Sequence, residues 1–96
     1  GPSRQIELVL AGSGAVPPNA TAVVMNVTAT EVARPSFISV WPAGEADPGT
    51  SNLNLVPGQT IANLVICRIG EGGALTIANE LSQCEVIADV LGYFVE

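Results

Sequence analysis

Between Thr21 and Thr30 the chain alternates without a break. Val23, Met25, Val27 and Ala29 fall on one side, and Asn26, Thr28 and Thr30 on the other. A repeat of two marks an extended strand, whose successive side chains point to opposite faces; a helix cannot gather such residues onto one stripe. A strand of this kind is half-buried. It needs hydrogen-bonding neighbours in its own sheet and a second layer to cover its apolar face.

The rest of the chain repeats the signal in shorter runs, parted by turn residues at roughly eight- to twelve-residue intervals. A first strand is expected over Gln5–Leu10, ended by Ala11-Gly12-Ser13-Gly14-Ala15, and Val16-Pro17-Pro18-Asn19 is an extended, turn-prone entry to the strand Thr21–Thr30. A third strand, Ser36–Pro42, puts Ile38 and Val40 on one face and Phe37, Ser39 and Trp41 on the other. The longest loop, Ala43–Thr50, leads to Ser51–Val56, where Leu53 and Leu55 alternate with Asn52 and Asn54. Pro57-Gly58 reads as a type II turn, because glycine accepts a positive φ after proline. Thr60–Ile69 is apolar on both faces and is expected to be a central strand. Gly70-Glu71-Gly72-Gly73 reads as a hairpin into Ala74–Asn79, where Leu75 and Ile77 point inward. After a turn at Glu80–Ser82 comes the last strand, Gln83–Val95, with Gly92 suggesting a bulge.

No stretch has helical spacing. Of the 48% apolar residues few are aromatic, and 19 are Val or Ile, whose β-branched side chains suit pleated strands. The expected fold is all-β: an antiparallel β-sandwich of about seven strands, immunoglobulin-like in strand count. The Cys, Trp, Cys order of antibody domains is absent, since Trp41 precedes both cysteines. Gly1-Pro2-Ser3 resembles the remnant left when a protease removes an affinity tag, so residues 4–96 are read as one domain.

Nine acidic residues, three Arg, no Lys and no His give a net charge of −6. That balance argues against nucleic acid and anionic membrane, which basic residues must neutralise. Without His there is no Ser-His-Asp or Cys-His arrangement, and without Lys no Schiff base. Glu45 and Asp47 are close in sequence, but short loops leave little room for the cleft that a carboxylate pair needs to cleave a glycoside. The chain therefore reads as a non-enzyme without a cofactor. Calcium held by Glu45, Asp47 and a loop carbonyl is the one cation reading, although no EF-hand spacing supports it.

Carbohydrate is the sharpest ligand reading. A sugar is held by an aromatic ring on its apolar face and by amides and carboxylates on its hydroxyls. Phe37 and Trp41, four residues apart on one strand, would be ~13 Å apart, with Asn52, Asn54 and Asp47 as polar partners. The alternative is that both rings belong to the core, and that the in-strand asparagines satisfy loop backbone or one another. Asn19-Ala20-Thr21 and Asn26-Val27-Thr28 fit the glycosylation sequon, a short motif that is frequent by chance. Cys67 and Cys84, one pair in an acidic, Lys-free β domain, are expected to form a structural disulfide, the alternative being two buried free thiols that act as small hydrophobes.

Five phrases in order carry a family resemblance: Val16-Pro17-Pro18-Asn19-Ala20-Thr21-Ala22-Val23-Val24-Met25-Asn26-Val27-Thr28; Val40-Trp41-Pro42-Ala43-Gly44; Ser51-Asn52-Leu53-Asn54-Leu55 with Gly58-Gln59-Thr60; Ala62-Asn63-Leu64-Val65; and Asp89-Val90-Leu91-Gly92-Tyr93-Phe94. Together they resemble a β-rich module of large secreted and cell-surface proteins of actinobacteria and related bacteria, which repeats in tandem or sits beside hydrolases acting on polysaccharide or peptidoglycan. The resemblance covers nearly everything after residue 15. It implies an extracellular setting and an accessory role beside other domains of a parent chain, and no established ligand; the two readings carried forward are binding of polysaccharide or cell-wall glycan through a face bearing Trp41, and a spacer or protein-interaction module. Relatives that carry cysteines often place them in the loop after the third strand and in the sixth strand, so their pairing does not transfer to Cys67 and Cys84.

Overall fold

The computed structural model describes residues 4–49, 51–79 and 84–95. Gly1–Ser3, read above as a tag remnant, and Glu80–Gln83, which include the turn expected at Glu80–Ser82, lie outside them. Seven strands follow in chain order: β1 (Arg4–Val9), β2 (Ala20–Thr30), β3 (Ser36–Pro42), β4 (Leu53–Leu55), β5 (Ile61–Arg68), β6 (Ala74–Asn79) and β7 (Glu85–Val95). All pairings are antiparallel. One sheet has the order β1-β6-β3-β4 and the other β5-β2-β7. The chain is a β-sandwich, split four and three as in immunoglobulin-like domains. The order is its own: an immunoglobulin constant domain pairs its first strand with its second, whereas here β1 pairs with β6.

The alternation in β2 has the expected consequence. Val23, Met25, Val27 and Ala29 are fully buried and meet Ile38, Val40, Leu53, Leu55, Leu75 and Ile77 from the opposite sheet in one core. Val65 and Cys67 of β5 join it, as do Val86 and Ala88 of β7 at its margin. Pro57-Gly58 makes the expected turn, with Gly58 at φ 77° and Gln59 N donating to Val56 O. The bulge is also present. Val24 faces Gly92 and Met25 faces Val90, which leaves Leu91 as the extra residue of β7.

Three expectations are corrected. First, Gly70–Gly73 does not close a hairpin. It forms a 3-10 turn (Glu71–Gly73) that carries the chain from β5 in one sheet to β6 in the other. The crossing is pinned to the end of β3, with Glu71 N donating to Ala43 O and Ala43 N to Ala74 O. A Cβ at Gly70 would lie inside the van der Waals envelope of the Ala43 backbone, so only glycine permits this approach. Second, β5 is an edge strand rather than a central one; β2 holds the centre. Third, the expected disulfide between Cys67 and Cys84 does not form, and both thiols are free. Cys67 lies opposite Val23, while Cys84 precedes Glu85, the partner of Thr30. Those rows are about seven residues or ~23 Å apart along β2, whereas a disulfide needs Cα atoms about 4.4–6.8 Å apart.

The two sides of the sandwich differ. On one, β5 packs against β3 and β4, and Asn63 Nδ2 donates to Asn52 O at 3.0 Å across the gap. On the other, β1 and β7 make no comparable contact among the described residues. Ile6 pairs with Ile77 and so faces inward, yet it is 58% exposed.

Candidate functional site

The residues singled out for a sugar do not assemble into a site. Ile38 and Val40 turn into the core, so Phe37, Ser39 and Trp41 lie on the outer face of the four-stranded sheet. That face is covered where Trp41 stands. Trp41 is 5% exposed, Ser39 fully buried and Phe37 half-buried. The indole packs on a floor of small residues: Trp41 pairs with Thr76 and Ser39 with Ala78, both of which are buried. The loop after β3 folds back over it, and Trp41 Nε1 donates to Glu45 O at 3.1 Å. A stacking platform must present a ring face to solvent, and Trp41 does not.

The polar candidates hold loops. Asn52 Oδ1 accepts Val40 N at 2.7 Å, so Asn52 ties the loop before β4 to β3. Asn54 Oδ1 accepts the Ser51 hydroxyl at 2.9 Å, and Asp47 accepts Gly49 N at 2.8 Å in a tight turn. These are the local side-chain bonds by which Asn and Asp stabilise turns. Glu45 pairs with Arg68 at 3.3 Å, both side chains well exposed. Such a surface pair contributes at most about 1 kcal/mol. Among the described residues no group of three or more His, Cys, Asp or Glu side chains is placed to hold a metal ion.

The thiols are held in their inert form. Burial pushes the Cys67 thiol above its ordinary value, outweighing the Arg68 guanidinium that acts the other way. Burial alone raises Cys84. The thiolate is the nucleophile, so neither group is activated. Cys84 borders a cleft of about 580 Å³ at the open side, walled by Ile6, Ile77 and Val86 and edged by Glu31 and Glu85.

What sequence reasoning missed is the apolar surface of the three-stranded sheet. On its outer face Val24 is flanked by Ile66, Asn26 by Leu64 and Asp89, Thr28 by Ile87, and Ala22 by Phe94. Leu64, Ile66, Ile87 and Phe94 are each at least half exposed. On β7 the exposure continues to the other side: Val90 and Tyr93 pair with the fully buried Met25 and Val23, yet are 38% and 46% exposed because β1 does not reach over them. With Leu91 in the bulge and Val95 also exposed, β7 is wet on both faces and along its free edge. The apolar runs on both faces of Thr60–Ile69 and Gln83–Val95 were the signal in the sequence.

Compared with family models, with curated proteins and with solved structures, the chain matches none.

Proposed function

We propose that this chain is a non-catalytic accessory module of a secreted or cell-surface bacterial protein, and that it works by protein–protein contact through its three-stranded sheet. One observation carries the reading. Leu64 and Ile66 of β5 and Ile87, Leu91 and Phe94 of β7 are exposed on the strands that flank β2, whose own inner face is fully buried. Soluble monomers rarely expose a contiguous apolar patch of this kind unless it is a contact surface. The acidic composition and the resemblance of five ordered phrases support the extracellular setting.

Hydrogen exchange tests it. Backbone amides of β5 and β7 are compared between the isolated chain and the parent protein recovered from its native source. Added protection confined to the three-stranded sheet supports the reading, and unchanged exchange there counts against it. The carbohydrate reading is tested separately by affinity electrophoresis in soluble polysaccharides, where retardation that Trp41→Phe abolishes would restore it.

A further inference from the structure

We infer that the partner of this surface is a second copy of the chain, joined edge to edge through β7 about a two-fold axis, so that the two three-stranded sheets merge into one sheet of six. The inference rests on the contact reading above and names its partner.

The first argument is which edge is open. Of the four edge strands, β4 has three residues, β5 has eight and packs against β3 and β4, and β1 is six residues long and carries Gln5 and Glu7. β7 offers eleven residues with no Pro and no Lys. Natural sheets blunt such edges with Pro, Lys or a covering loop, because an unprotected row of N–H and C=O groups recruits another strand. In β7 the charges are Glu85 at the start and Asp89 in the middle, and the last six residues, Val90–Val95, carry none.

The second argument is self-complementarity. An antiparallel pairing of β7 with itself must place outward residues opposite outward ones and inward opposite inward. The bulge shifts the alternation by one residue, so Ile87, Asp89, Gly92 and Phe94 face out while Val86, Ala88, Val90, Tyr93 and Val95 face in. One register satisfies both sets and puts apolar against apolar: Val86 with Val95 of the second copy, Ile87 with Phe94, Ala88 with Tyr93, and Val90 with itself on the axis. Asp89 then falls opposite Gly92, which has no side chain to bury it, and the two Asp89 carboxylates sit on a diagonal rather than face to face. Both Leu91 bulges lie beside the axis. Cross-strand aromatic and β-branched pairs are the unit of sheet stabilisation, and this register supplies them twice over.

The third argument is size. A contact of one eleven-residue strand per copy is small beside the interfaces of permanent dimers, so a reversible dimer is expected. Each copy carries a net charge of −6, so the charge resists association and added salt strengthens it.

Sedimentation equilibrium across a concentration series tests the inference. The chain is expected to shift from monomer to dimer, with the β7 amides gaining exchange protection as the dimer forms. Ile87 and Phe94 are exposed and opposed in the proposed register. A variant with Ile87→Lys and Phe94→Lys, and another with Ile87→Glu and Phe94→Glu, are each expected to weaken self-association by about tenfold or more, while an equimolar mixture of the two recovers it. Unchanged circular dichroism of each variant confirms folding. A wild-type chain that stays monomeric at every concentration overturns the dimer without touching the wider contact reading, which the exchange comparison in the parent decides. A dimer abolished by Leu64→Lys with Ile66→Lys, and indifferent to the β7 variants, would overturn edge pairing in favour of face-to-face packing.

Discussion

Trp41 shows how a single side chain can look functional in sequence and prove structural. Its alternation with Ile38 and Val40 puts it on the opposite face of β3 from them, without saying which of the two faces is inside. That the face is itself covered depends on the loop after Pro42 folding back, a long-range event with no local period. Trp41→Ala is expected to cost about 3–5 kcal/mol in urea unfolding, the range for a buried aromatic cut to alanine. Trp41→Phe is expected to cost about 1–3 kcal/mol, since it leaves the Glu45 carbonyl without its indole donor. The thiols give a second prediction. The fold favours the protonated form of Cys67 and Cys84, raising both above 9.0. Their contribution is fully present below that value and is lost as pH rises through the higher folded values. The urea midpoint is thus expected to hold from neutral pH to about 9 and to fall beyond it, less steeply in Cys67→Val. The disulfide expectation failed because compartment logic predicts that thiols pair without knowing which rows of a sheet they occupy.

At the level of elements, β2, β3 and β6 were legible almost to the residue. Each has apolar positions that packing rewards and ends in a recognisable turn or loop. β5 was legible as a strand and misjudged in place. An apolar residue reports that water is disfavoured, and says nothing about what replaces it; on the outer faces of β5 and β7 nothing within the described chain does. The 3-10 connection was misread for a related reason. Glycine-rich turns suit hairpins, but here glycine serves the close passage of Gly70 beneath Ala43. Gly70→Ala must move the end of β3, and is expected to lower stability by about 2 kcal/mol or more. Gly92 has no heavy atom within 4 Å of an added Cβ, so Gly92→Ala is expected to lie within about 0.5 kcal/mol of the parent in the same measurement.

Across the whole molecule, the strand order governs how the chain folds. Of the pairings in the two sheets, β3 with β4 alone joins sequence neighbours. Every other ladder must close a long loop before any contact repays it. Refolding by stopped-flow fluorescence of Trp41 is accordingly expected in the millisecond-to-second range typical of all-β domains rather than in microseconds. The closed side of the sandwich bears on a different matter. Open edges at both ends of a sheet let identical subunits add one after another, which is the geometry of a fibril. On the β5 side the side-chain bond from Asn63 to Asn52 crosses to the other sheet, while Leu64 and Ile66 stay exposed, so the two edges of the three-stranded sheet differ in what they offer a neighbour.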